Sequence, residues 1–443
     1  MAIISNMSLC FLAYDIGLIT MVDRLEAKAS CSDSLKIDMR YARNKRNRRG
    51  KMTKKIHFNK KKLSVLLAIS VMGAAGSGFA AFAEQSPSFA YSSEVWAKLR
   101  DNKLEYDEID KLIHEYNPTV LSNALSYKDQ SDKTSSDVAQ SYYDAAEQIQ
   151  NNMSYPDEDS ANYASGVTSY LNSQISYENL REQGDKNTND SETYKLNYDK
   201  QEANLCKQAK QLMVNYWSQY NNLETYRNNV TLAEQELDTV SRKLAAGLAT
   251  ESSKLSAEQS LTKAKTALQS AEVSLESTRK SLVLMLGWNI TDEVEIGELP
   301  TVNADTVNTI DLNSDIEKAK SSNYTLKTTE RQLSNATTSS VREELTQTKD
   351  TAVKNIAQNV TNLYDSLKQS ISDLDAAKDN VTAKEQELSA AEHKKAAGMM
   401  TESSYKKAEL ALDSAKVQQE LKQYAVLTAY INYEAAVNGL AET

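Results

Sequence analysis

The fold is decided by Lys243-Leu244-Ala245-Ala246-Gly247-Leu248-Ala249-Thr250-Glu251-Ser252-Ser253 and its echo, Lys394-Lys395-Ala396-Ala397-Gly398-Met399-Met400-Thr401-Glu402-Ser403-Ser404. The offset between them is 151 residues. At that offset 20 of the 37 residues from 229 to 265 are identical without a gap, beginning with Asn229-Val230-Thr231 against Asn380-Val381-Thr382. Shared helical composition would give only a few matches, so the chain carries an internal repeat.

Each stretch has a long glycine-free, proline-free pattern on one side and a Thr-x-x-Ser cap on the other. Glycine can take the left-handed conformation that ends a helix, and threonine can cap the next one. The expected unit is therefore helix, tight turn, antiparallel helix. The helix before each turn has room for some 50 residues, roughly 75 Å at the α-helical rise. After Gly247, Leu261, Ala264, Leu268, Ala271, Leu275, Thr278, Leu282 and Met285 alternate in steps of three and four, a heptad seam in which alanine allows close helix approach. The second copy runs Leu412, Ala415, Gln419, Lys422, Val426, Ala429, Tyr433 and Ala436. Its polar middle implies either a different buried stripe or contact with water.

A fainter match lies upstream. Tyr106-Asp107-Glu108-Ile109 leads to Asn117-Pro118, and Ile310 to Ile316 leads to Asn323-Tyr324, an offset of 206. The first copy thus holds about 55 additional residues. Within 128–190, Tyr163, Tyr170 and Tyr177 recur every seven residues, and Pro156-Asp157 marks a turn. That spacing predicts a helical insert whose tyrosines pack in a seam. Residues 289–309, with Gly297 and Pro300, read as an extended linker between copies.

The four prolines and twelve glycines leave little to interrupt helix over 443 residues. The fold expected is all-α: two tandem copies of a long antiparallel coiled-coil helical hairpin, with no clear membrane β-barrel. The division expected is an upstream extension at 1–51, a signal peptide at 52–83, a first repeat at 84–300 and a second at 301–443. The signal reading rests on Lys54, Lys55 and Lys60 to Lys62, the apolar stretch Leu63 to Ala75, and the cleavage site Ala81-Phe82-Ala83. Met52 fits as the true start.

Charge narrows the function. The chain holds 51 Lys/Arg and 61 Asp/Glu; the first 83 residues take 15 and 5, leaving 36 and 56 beyond, a net −20. An acidic mature chain does not suit nucleic acid or an anionic membrane surface. The basic run Arg40 to Arg49 lies upstream of the removable segment. Cys206 alone follows the signal, so no disulfide is expected within the mature chain. His57, His114 and His393 share no metal-ligand spacing, and there is no glycine-rich phosphate loop or nucleophile elbow. The reading is of a non-enzyme without cofactors.

This order of motifs resembles the TolC family of outer-membrane efflux proteins over roughly residues 95–440. The entry helix closing on Asn117-Pro118, the turn motif of a basic residue, three positions, Gly-Leu and Thr, and the closing Leu286-Gly287 carry the likeness. The resemblance implies a homotrimer whose paired hairpins close a helical tunnel and whose tips meet the adaptor protein of a membrane transporter. It places Lys243, Gly247, Leu248, Thr250, Lys394, Gly398, Met399 and Thr401 at those tips. It implies secretion across the inner membrane to the cell envelope or surface, and to the outer membrane where the organism has one. Two departures stand out. Ser253 and Ser404 occupy a position where the family often has aspartate, and neither copy has strand-forming insertions for a barrel. A structural or adhesive coiled-coil surface protein without transport is the alternative.

Overall fold

The computed structural model describes residues 92–99 and 101–443. The expected upstream extension and signal peptide lie outside the described residues. The chain enters through α1 (Ser93–Leu99), β1 (Lys103–Leu104), a 3₁₀ turn at Tyr106–Glu108, α2 (Ile109–Tyr116) and α3 (Pro118–Lys128). An antiparallel pair follows, α4 (Ser135–Asn152) and α5 (Tyr163–Asp185). Then come the long helices α6 (Ser191–Ala245) and α7 (Glu251–Met285), of 55 and 35 residues. After β2 (Glu295–Ile296), the second copy comprises α8 (Ala304–Asn308), α9 (Leu312–Ser322), α10 (Tyr324–Asn335), α11 (Ser339–Ala396) and α12 (Glu402–Ala435).

The fold is all-α, with two long antiparallel hairpins, α6–α7 and α11–α12. Among the described residues the only strands are β1 and β2, a two-residue parallel pair, and no barrel closes. No described helix is long and apolar enough to cross a membrane. The expected 50-residue helices have 55 and 58 residues, roughly 83 and 87 Å.

Packing runs α7, α6, α12, α11 in a row, with the two hairpins joined through α6 and α12. Gln211 donates to the Asn432 side chain at 2.7 Å, and Asn221 to the Tyr424 hydroxyl at 2.9 Å. Residue numbers rise along α6 as they fall along α12, so these two helices are antiparallel. Helix α12 therefore faces α11 on one side and α6 on the other. It buries Leu412, Ala415, Val426 and Tyr433 along the heptad seam, and Val417, Leu427 and Ile431 beside it. This explains its polar middle: Lys422 pairs with Asp373 of α11 at 2.8 Å, and Gln423 donates to the Val302 carbonyl at 2.9 Å.

Two apolar cores lie at the base of the row. One gathers Leu99, Leu104, Ile109, Ile113, Met213, Leu282 and Leu286; the other gathers Leu326, Ile356, Val360, Leu367, Leu427 and Ile431. Tyr106 and Leu299 touch both. The linker is less extended than expected, because Asn303 caps a short helix by accepting from the Thr306 N–H at 3.0 Å.

Each copy is closed by the same device. Asn117 caps α3 by accepting from the Thr119 and Val120 N–H groups, while its amide donates to the Met285 carbonyl at 2.8 Å. Asn323 caps α10 by accepting from the Leu326 N–H, and its amide donates to the Ala441 carbonyl at 2.8 Å. One side chain thus starts a helix and holds the chain at the end of the return helix (Met285) or a few residues past it (Ala441). Gly287 and Gly439, at φ +86 and +117, follow those return helices. A Cβ on Gly287 would come within 2.8 Å of the Tyr116 carbonyl oxygen, and one on Gly439 within 2.8 Å of that of Ser322. Tyr116 and Ser322 each immediately precede the capping asparagine, so the fainter offset of 206 corresponds to a shared joint.

The insert is tied down at its base. Asp190, 2% exposed, caps α6 through the Thr193 N–H and meets Arg331 at 2.6 Å and Asn335 at 2.9 Å, both on α10. Asn187 donates to the Ser135 carbonyl at 2.8 Å. Burial works to raise the Asp190 carboxyl, but Asn335, the Thr193 N–H and Arg331 outweigh it and hold the group below its ordinary value of 3.8.

Replacing Asn323, which is fully buried, with alanine leaves the Ala441 carbonyl and the Leu326 N–H without their partner. The expected loss is about 2–3 kcal/mol in urea unfolding. The depressed Asp190 carboxyl stabilises the fold above its ordinary pKa, and that contribution disappears as pH falls through the lower folded-state value. The stability gap between the protein and its Asp190→Asn variant should therefore be widest at neutral pH and narrow in acid, as read by thermal unfolding across pH.

Candidate functional site

The eight residues marked in the sequence fall at the two hairpin turns. Helix α6 ends where the Leu248 N–H donates to the Lys243 carbonyl at 2.8 Å and the Gly247 N–H to the Leu244 carbonyl at 2.9 Å. Helix α11 ends identically, Met399 to Lys394 at 2.8 Å and Gly398 to Lys395 at 2.9 Å. This paired pattern requires a left-handed residue, and Gly247 and Gly398 supply it at φ +70 and +71. No atom lies within 4 Å of where a Cβ would sit on either, so conformation and not crowding demands glycine here.

The return helices begin on threonine. The Thr250 hydroxyl accepts from the Ser253 N–H at 3.1 Å, and that of Thr401 from the Ser404 N–H at 3.2 Å. Each threonine hydroxyl also lies 2.9 Å from the serine hydroxyl. The two serines that depart from the family's aspartate thus take part in the cap.

Both turns lie at one end of the row. The antiparallel register of α6 against α12, carried along both helices, brings the end of α6 level with the start of α12. Each turn then presents one large apolar side chain to solvent: Leu248 is 78% exposed and Met399 75%. Lys243 and Lys394, whose carbonyls accept those closing N–H groups, are exposed and form no ion pair among the described residues.

The tips differ in their flanks, which the motif alone did not reveal. At the second, Lys395 pairs with Glu402 at 2.9 Å and sits 3.9 Å from the centre of the Tyr405 ring. The Glu402 carboxylate holds the Lys395 ammonium above its ordinary value. The equivalent first-tip residues are Leu244, Glu251 and Lys254, with the exposed Leu255 beside them. There Lys254 turns to Glu258 at 3.7 Å. Substitutions of Leu244 by Lys395 and Lys254 by Tyr405 across the repeat were the available sequence signal.

Nothing at the tips or elsewhere among the described residues assembles a metal site from three or more His, Cys, Asp or Glu side chains. His114 is bound to Glu202 at 2.7 Å. Burial, followed by the nearby Asp110 and Glu202 charges, pushes the Cys206 thiol up to about 12, which leaves it a packing group.

The glycine requirement is testable. Gly247→Ala and Gly398→Ala should each cost about 1–2 kcal/mol from left-handed strain alone. Gly287→Ala should cost more in the same urea series, because its Cβ would also meet the Tyr116 Cβ at 2.4 Å.

No protein-family model and no curated protein matches the chain. Among solved structures it is similar to a membrane protein from Pseudomonas aeruginosa, at 11% identity and a TM-score of 0.46 over 75% of this chain and 93% of that one. It is also similar to the outer membrane protein VceC from Vibrio cholerae, at 12% and 0.45 over 79% and 99%. The Campylobacter jejuni CmeC outer membrane channel gives 12% and 0.44 over 84% and 94%.

Proposed function

We propose that the chain is a non-enzymatic conduit or scaffold of an efflux or export system. In this reading copies of the row assemble edge to edge, and the two hairpin tips dock an adaptor of a membrane transporter. The observation that carries the proposal is the pair of equivalent turns at one end of the row, each holding an apolar side chain out at its apex. Neither Leu248 nor Met399 contributes to an apolar core of its own chain. An exposed apolar group with a neighbouring cation, built twice on rigid helices, suits a protein partner. The sequence likeness to the TolC family supports the same reading and supplies the trimer.

The row itself favours assembly. Helices α7 and α11 stand at its two ends, each packed on one long neighbour. Leu255, Val273 and Leu284 fall on one face of α7 and are 55%, 65% and 44% exposed. Secretion to the envelope belongs to the same proposal, since a docked transporter must lie in the membrane that the chain has crossed.

Light scattering on the full chain tests assembly, with a mass three times that of one chain expected. A monomer at all concentrations sinks the conduit and favours the structural or adhesive coiled-coil reading. Docking is tested separately by Leu248→Glu with Met399→Glu. Both sites are exposed, so stability should change by less than about 0.5 kcal/mol and the oligomer should persist. Export by cells carrying this variant, and copurification of the adaptor, should fall at least about tenfold, as expected for loss of an anchor side chain.

A further inference from the structure

The apex of the second tip is chemically unlike that of the first. At the offset of 151, Leu248-Ala249 stands against Met399-Met400, between a glycine and a Thr-Glu-Ser-Ser that both copies keep. Leucine and methionine are close in size and apolarity, but not in reactivity. Leucine is inert to peroxides, whereas the methionine thioether takes up oxygen and becomes a polar sulfoxide.

Met399 is also the methionine that solvent reaches. It is 75% exposed, while Met153, Met285 and Met400 are half-buried and Met213 is fully buried in the core at the base. The single cysteine beyond residue 83 does not compete for an oxidant. Attack on a peroxide needs the thiolate, and burial of Cys206 holds its thiol protonated. A peroxide therefore meets one largely exposed methionine among the described residues, and that residue stands at a hairpin apex.

The chain does not use this side chain to hold its own shape. The Met399 N–H closes the turn on the Lys394 carbonyl, Gly398 supplies the left-handed conformation and Thr401 caps α12. Lys395 ties the end of α11 to Glu402 and Tyr405. The Met399 side chain joins none of the three apolar clusters. A sulfoxide there leaves the fold intact, so its consequence falls on whatever the tip touches. Met213 and Met285 are the reverse case: they pack in the core at the base, where a polar S=O group would destabilise the fold, and burial shields them.

We propose that Met399 is an oxidation site that weakens docking through the second tip. Hydrogen peroxide transfers one oxygen atom to the thioether: the S=O bond forms as the O–O bond breaks, sulfur is oxidised, and the peroxide is reduced to water. The apex turns from apolar to polar, and the contact loses the apolar burial of that side chain. The first tip carries Leu248 and keeps its contact. The proposal rests on the tip docking proposed above and adds a chemical switch to one of its two contacts.

Two measurements on the full chain test it. Peptide mass mapping after hydrogen peroxide should find sulfoxide at Met399 forming at least about tenfold faster than at Met213, and ahead of Met153, Met285 and Met400. Thermal unfolding should not change while Met399 alone is modified. In cells, photoreactive benzoylphenylalanine at position 397, and separately at its first-tip counterpart 246, reports contact with a different protein. Peroxide should cut the adduct from 397 at least about tenfold and leave that from 246 unchanged; in Met399→Leu neither should fall. Sulfoxide forming no faster at Met399 than at the half-buried methionines overturns the proposal. So does an adduct from 397 that survives oxidation of Met399, or that falls equally in Met399→Leu; docking stands in these cases. No adduct to a different protein from either position overturns docking and the switch together.

Discussion

Two backbone hydrogen bonds at each hairpin turn fix the shape of this chain. A helix of 55 or 58 residues leaves carbonyls at its end that water or the chain must satisfy. Here the Leu248 and Gly247 N–H groups, and their counterparts Met399 and Gly398, turn back onto those carbonyls. The chain reverses within five residues, and a threonine hydroxyl starts the next helix. Everything along the row then follows from register. The return helix lies directly against the outgoing one, and the seam repeats every seven residues. A residue that supplies this closing N–H often packs its apolar side chain back on the helix end, whereas Leu248 and Met399 stay largely exposed.

The all-α hairpin architecture was legible because its signals are local. Glycine followed by Thr-x-x-Ser determines a turn within ten residues, and the heptads after Gly247 need no distant partner to be recognised. What was not legible depends on neighbours far away in sequence. The polar stretch Gln419 to Lys422 looked like a weak seam, but α12 has partners on two sides, and Lys422 answers Asp373 across the hairpin. Asn303 was read as linker because a five-residue helix leaves no periodicity to detect. The two tips looked equivalent because the motif that marks them is the part they share. Their difference lies in Lys395, Glu402 and Tyr405, which meet only once the turn is closed.

The capping asparagines show how a repeat can hold together after its sequence has drifted. Around Asn117 and Asn323 little else is alike, yet each side chain accepts from the helix it starts and donates to a carbonyl at or just past the end of its copy's return helix. An amide is suited to this because it offers a donor and an acceptor on one rigid plane. The glycine that follows each return helix lets the backbone approach the carbonyl just before that asparagine. These two contacts close the base of each copy and leave the hairpin free to project.

A base that is well packed and a shaft that is thin have different consequences. The apolar clusters lie where the short helices brace α6, α7, α11 and α12, whereas toward the turns the buried hydrophobic side chains thin out to Ala257, Val381, Ala391, Leu410 and a few others. Small seam residues keep the helices close, but they bury little area per turn. A single row is therefore stiff along its helices and weak across them. Neighbouring rows would add the missing lateral packing along the exposed apolar stripe of α7, Leu255, Val273 and Leu284, a surface that one copy leaves to water.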